Sequence, residues 1–262
     1  MFKSNYMNIL ISTKKIINQF LYMLGYEVYK TNYKIPFPVE FSNEEKKIID
    51  SIEDYTMTNR ARIFTLINIF KEITHNNITG DFVECGVWRG GNLIMLQKLN
   101  DLYQQNKTIH GFDTFEGMTE SGEFDIDLRN IKSKELLKST KKINNKKNIW
   151  AYCDIENVRK NISKNLPKHN IKLIKGDVKN TLLDHNNLPN RISILRLDTD
   201  FYDSTKIELE ILYPRLSKGG YLIIDDYGHF KGCQKAVDEY FKNSKITLHY
   251  SDYSCRFFKK DE

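Results

Sequence analysis

The chain has no Cys-x-x-Cys pair. Its four cysteines, Cys85, Cys153, Cys233 and Cys255, are scattered, which excludes the common zinc spacings and a disulfide framework and points to a reducing, cytoplasmic setting. No apolar run is long enough to span a membrane. Met7 to Tyr26 is apolar in content, but Lys14, Lys15, Asn18 and Gln19 break it, and it does not read as a signal peptide. The Gly-x-Gly-x-x-Gly fingerprint of dinucleotide sites is missing, as is an Asn-Pro-Pro-Tyr-like base-flipping motif. Neither sign of charge dominates: 40 Lys and Arg face 34 Asp and Glu, a net +6. The one dense basic tract, Arg129 to Lys147, has little aromatic interleaving, so no nucleic-acid partner is expected. No internal repeat is present.

What remains is ordinary for a folded enzyme. With 262 residues, 40% of them hydrophobic, the chain can bury a sizeable core and fits one large α/β domain. Ile9, Leu10, Ile16, Ile17, Phe20, Leu21 and Leu24 share one face of a leading helix, suited to packing or to peripheral contact with a membrane surface. Pro36 and Pro38 bracket an extended crossing. Ser42-Asn-Glu-Glu45 reads as a helix start, and two helices, Glu44 to Tyr55 and Arg60 to Thr74, precede the first strand. We divide the chain into an N-terminal helical extension, 1–55, and a principal domain, 56–262. Within the latter, strands at Phe82–Val87, Thr108–Asp113, Ile171–Lys175, Ile192–Leu197 and Tyr221–Ile224 alternate with helices, and Ile246–Phe258 reads as a terminal hairpin. This pattern predicts a doubly wound, Rossmann-like α/β sheet, mainly parallel, of seven strands with the last antiparallel. Residues 114–154 are too long for a routine connection and are expected to form a lid.

The chain is organised around Ile194 to Tyr227. An apolar run ends in Leu197-Asp198-Thr199-Asp200, a helical run follows to Leu216, and Gly219-Gly220 leads into a second apolar run ending in Asp225-Asp226. Right-handed crossover leaves both strand ends on one edge of the sheet. Four carboxylates gathered there repel one another unless a cation sits among them, so a hard divalent metal is inferred.

The other strand ends describe a cofactor. Glu84-Cys-Gly86-Val-Trp88-Arg-Gly90-Gly91 hands a strand over to a helix, with small residues that let the backbone approach a ligand. An acid before the glycines suits an ammonium group better than a pyrophosphate. Asp113, followed by Thr114, ends the second strand, where an acid can bind ribose hydroxyls; Asp177, after the third, is placed to meet an adenine edge. An amino-acid-binding acid, a ribose acid and an adenine contact together describe S-adenosylmethionine.

Several blocks resemble the macrocin O-methyltransferase family: Gly80-Asp-Phe-Val-Glu-Cys-Gly-Val-Trp-Arg-Gly-Gly91, Phe112-Asp-Thr-Phe-Glu-Gly-Met118, Leu195-Arg-Leu-Asp-Thr-Asp200, Leu212-Tyr-Pro-Arg-Leu-Ser217 and Gly219-Gly-Tyr-Leu-Ile-Ile-Asp-Asp-Tyr-Gly-His229. The resemblance runs from about Thr56 to Phe241. It implies a class I methyltransferase fold and Mg²⁺-assisted, S-adenosylmethionine-dependent methylation of a sugar or glycan hydroxyl by a cytoplasmic enzyme, expected to be a homo-oligomer. It also implies Asp198, Asp225 and Asp226 as metal ligands, with Asp200 behind them and with Asp198 or His229 as the base. No lysine of the catechol-enzyme kind follows Asp198, where Phe201 stands. A catechol-type enzyme, a nucleic-acid methyltransferase and a non-catalytic binding protein are the competing readings.

Overall fold

Five apolar strand runs need cover on both faces, and the chain supplies it by alternating them with helices. A computed structural model describes residues 16–25 and 36–261. The chain divides into two compact units, Met1–Phe37 and Pro38–Glu262. In the first, residues 16–23 are helical; Ile9 and Leu10 of the leading helix lie outside the described residues. No helix among the described residues is long and apolar enough to cross a membrane.

The second unit begins with α1 (Asn43–Ile52), and the start read from Ser42-Asn-Glu-Glu45 is a reciprocal capping box: the Ser42 hydroxyl accepts from Glu45 N at 3.1 Å and the Glu45 carboxylate accepts from Ser42 N at 2.6 Å. After α2 (Arg60–His75) come β1 (Asp81–Cys85), α3 (Gly91–Leu102), β2 (Ile109–Asp113), α4 (Ser133–Ser139), α5 (Ile155–Asn165), β3 (Ile171–Lys175) and the short α6 (Val178–Thr181). Then follow β4 (Ile192–Leu197), α7 (Tyr202–Leu212), β5 (Leu216–Ile224), α8 (Lys231–Tyr240), β6 (His249–Tyr250) and β7 (Arg256–Lys259). The sheet order is β3-β2-β1-β4-β5-β7-β6, with β1 to β5 parallel and β7 antiparallel to both β5 and β6. This is the seven-stranded class I arrangement expected from the sequence. Order reverses between β1 and β4, which places the ligand crevice beyond their carboxyl ends. Every residue of β4 is buried, and its Leu195 and Leu197 join Val83, Cys85, Leu222 and Ile224 in one core.

The segment 114–154 has its own structure. It contains α4, which its weak periodicity hid, and a tight antiparallel contact of Ile126 with Lys132. Asp127 bridges to Phe230 at the start of α8.

Candidate active site

The two halves of the site touch through backbone. Asp198 N donates to Cys85 O at 2.8 Å, so the loop leaving β4 runs against the loop leaving β1. Gly86 has φ +92°, and a Cβ there would lie 1.9 Å from the Asp198 carbonyl oxygen. Only glycine fits. Gly90, at φ +87°, turns the chain into α3 at its N-cap, and Gly91 packs against the carbonyl of Tyr55, where a Cβ would come within 2.6 Å.

Beyond these strand ends lies an open crevice. Asp113, Thr114, Asp177 and Asp198 line it, so three strand-end acids read from the sequence share one hollow. A wider hollow of about 1000 Å³ under the terminal hairpin, beside Tyr213 and Tyr221, holds none of them. Asp113 has a second task. Its Oδ2 accepts from Val87 N and Trp88 N at 2.7 and 3.0 Å, and its Oδ1 from Phe115 N at 2.7 Å. It therefore clamps the glycine turn to the end of β2, while burial pushes its carboxyl above the ordinary range despite these bonds. Asp177 caps α6, its Oδ1 accepting from Lys179 N at 2.9 Å. Thr114 ties its hydroxyl to Gly117 O at 2.7 Å.

Glu84 is 2% exposed. Its Oε1 accepts from Asn92 Nδ2 at 2.8 Å and Arg196 Nη1 at 2.6 Å, while its Oε2 is buried without a partner. An unpaired buried carboxylate oxygen is costly and fits the ammonium group of an amino-acid tail. Trp88, next in the turn, also keeps a buried Nε1 without a partner.

Arg196 was not singled out from the sequence, yet it joins the cluster together. Its guanidinium also reaches Asp198 Oδ2 at 2.8 Å and Asp225 Oδ1 at 2.5 Å. Arg62, from α2, pairs with the other oxygen of Asp225 and with Asp252 Oδ2 at 2.7 Å. Both oxygens of Asp225 are thus held by arginines. The acids free to converge are Asp198, Asp200 and Asp226, each offering an oxygen within 4.8 Å of the others. Asp200, placed behind the ligands by the sequence, sits among them, with a left-handed backbone at φ +66° that turns the loop back on itself. The Asp200 and Asp226 carboxyls approach within 4.8 Å, and two carboxylates so near one another favour a proton or a cation between them. Asp226 Oδ2 is buried with no partner.

Proton affinity follows from this crowding. Burial, then the neighbouring Asp225, lifts Asp200 to about 6. Burial and the adjacent acids push Asp226 well above the ordinary range, and Asp198 likewise despite Arg196. Such a set fits a hard divalent cation, since oxygen donors of high proton affinity are relieved together when one binds. His229 stands apart from the converging group: its Nδ1 lies 3.2 Å from the Tyr253 hydroxyl, and burial lowers its pKa, keeping the ring neutral.

A family model described as Macrocin-O-methyltransferase (TylF) matches residues 30–260. Demethyldecarbamoylnovobiocin O-methyltransferase of Streptomyces niveus is 31% identical over 192 residues, 71% of this chain and 67% of that protein. A tetracenomycin-C 4'-O-methyltransferase of Streptomyces olivaceus, whose full name specifies a dimethoxy-rhamnosyl substrate, is 32% identical over 188 residues, again 71% and 67%. Among solved structures, the O-methyltransferase NovP superposes with a TM-score of 0.69 at 28% identity, covering 79% of this chain and 83% of its own.

Proposed function

This chain belongs to the macrocin O-methyltransferase family and is an S-adenosylmethionine-dependent O-methyltransferase, and we propose that it methylates a sugar hydroxyl at the edge where β1, β4 and β5 end, with the help of Mg²⁺. The observation that carries the proposal is the convergence of Asp198, Asp200 and Asp226 beside a crevice that Asp198 itself lines.

The methyl donor would lie along the crevice. Its ammonium group would meet the unpaired Glu84 oxygen, beside the turn that Gly86, Gly90 and Gly91 shape, and its ribose and adenine would lie toward Thr114 and Asp177. Trp88, whose buried Nε1 lacks a partner, would close this end from the turn. Asp113 acts by fixing the turn, since its oxygens already accept three backbone N–H groups. Bound Mg²⁺ would supply Lewis acidity and orient two neighbouring hydroxyls of the acceptor. Asp198 and Asp226, named as ligands from the sequence, would hold it with Asp200; Asp225 can join them only by releasing one of its two arginines. Asp198 is the base. Arg196 fixes its Oδ2, leaving the other oxygen to take the hydroxyl proton as the oxygen attacks the methyl group. His229 is the second candidate, neutral but tied to Tyr253.

The test is methyl transfer to a panel of sugar acceptors with and without Mg²⁺, run beside calorimetry of the demethylated cofactor product. Chelation should abolish transfer while cofactor binding persists, because the cofactor rests on other residues. Asp200→Asn should weaken Mn²⁺ binding more than Asp225→Asn does; the reverse order would return Asp225 to the ligand set. Full activity of metal-free protein in chelator would sink the cation assignment and make His229 the leading base.

A further inference from the structure

The charge of this protein is concentrated in one place. Residues 129–147 hold eight cations, Arg129 and seven lysines, against the single acid Glu135. The other 243 residues carry 32 Lys and Arg and 33 Asp and Glu, so they are close to neutral. A Lys-rich composition would spread the excess; here the excess is local. All eight side chains are exposed. Arg129 pairs with the buried Asp127, but among the described residues none of the seven lysines forms an ion pair with an acid.

The fold fixes this tract to the rim of the active-site crevice at both of its stems. Before it, Asp125 Oδ1 accepts from Tyr202 N at 2.8 Å, directly after the Asp198–Asp200 loop. Lys231 N donates to Ile126 O at 2.9 Å, and Asp127 bridges to Phe230, shortly after Asp226. After it, Trp150 O accepts from Met118 N at 3.0 Å, and both Met118 and Ala151 line the crevice. Within the tract, the ammonium of Lys142 lies over the rings of Trp150 and Tyr152, 5.2 and 5.0 Å from their centroids. Its Cε is 3.5 Å from where a Cβ of Gly117, another lining residue, would stand. A flap of unpaired ammonium groups is therefore anchored at one stem beside the residues that follow the acids and at the other beside the lining of the crevice. Fixed like charges so close together raise one another's energy unless an anion joins them.

From this juxtaposition of an unpaired lysine flap with the acceptor side of the crevice, we propose that the acceptor is anionic: a sugar carried on a diphosphate, whose charged group lies against Lys141, Lys142, Lys146 and Lys147 while the sugar reaches the acids. The proposal rests on the methyltransferase reading above. A nucleoside diphosphate and a lipid diphosphate present the same group to the flap, and the test separates them.

Inorganic diphosphate, uridine diphosphate and geranyl diphosphate are titrated by calorimetry, without Mg²⁺, into protein already loaded with the demethylated cofactor product. Failure to load the cofactor product would count against the methyltransferase reading itself, and is seen before any diphosphate is added. We expect binding that weakens on the order of tenfold as salt is raised from about 50 to about 300 mM. It should weaken at least as much in the Lys141→Glu, Lys142→Glu, Lys146→Glu, Lys147→Glu variant with affinity for the cofactor product unchanged. Tighter binding of the uridine form identifies a nucleotide-linked sugar, and tighter binding of the geranyl form a lipid-linked one. If wild type binds none of the three at low salt, or the variant binds them as well as wild type, the flap is a solvated surface and the proposal fails.

Discussion

Arg196 sits at 3% exposure in a strand that is otherwise Ile, Ser and Leu, and three acids depend on it. Removing it would strand Glu84 as a buried charge and leave Asp225 with Arg62 alone, so Arg196→Met should cost about 3–5 kcal/mol in urea unfolding and abolish cofactor binding. Retention of both would show that the acids are satisfied elsewhere. A charged residue inside an apolar run ending in acids was legible as an anomaly; its meaning was not, because Glu84 lies 112 residues away and Asp225 another 29. Arg62 and Asp252 were invisible for the same reason: nothing local marks a pair separated by 190 residues. Glu208 makes a second residue-scale prediction. It is fully buried on α7, and the Thr199 hydroxyl lies 3.0 and 3.1 Å from its two oxygens. Burial lifts its pKa from 4.5 to about 8. The folded state therefore holds a proton that the unfolded state gives up above pH 4.5, so this group's contribution to stability is greatest below pH 4.5 and is lost as pH rises toward 8. Glu208→Gln mimics the protonated acid and should flatten that fall. Melting curves from pH 5 to 9 should show the variant gaining on wild type as pH rises, and parallel curves would refute a protonated Glu208.

Elements that repeat a simple period were readable, and elements set by distant contacts were not. The Ser42 capping box, the strand–helix alternation and the terminal hairpin each announce themselves within a few residues. The insertion did not, because its order comes from outside it: α4 is seven residues long, too short to show periodicity, and Asp125 does its work by accepting from Gly122 N and Tyr202 N. The same anchors make the element testable. Limited proteolysis of the free protein should cut between Arg129 and Lys147, where side chains are exposed, rather than at the anchored stems near Asp125 and Trp150. Cleavage should slow when cofactor and acceptor are both bound, as a closing lid requires. Equal rates in both states would leave a fixed flap in place of a moving one.

At the scale of the molecule, the division of labour follows the sheet. The parallel strands carry the acids and the glycine turn on one edge, the edge to which topology alone assigns a ligand site. Which acids converge could not be read, since Asp200 enters the group through a left-handed backbone turn and Asp225 is drawn to two arginines. The contact between Gly86 and the Asp198 carbonyl has a consequence for how such enzymes diversify. Donor and acceptor halves are indexed to each other by main chain against main chain, a ruler that side-chain replacement cannot lengthen. The insertion hangs outside that ruler, so its replacement should leave the spacing of the β1 and β4 loops unchanged. The insertion is in that sense a removable part, mounted on a spacing that the backbone alone sets.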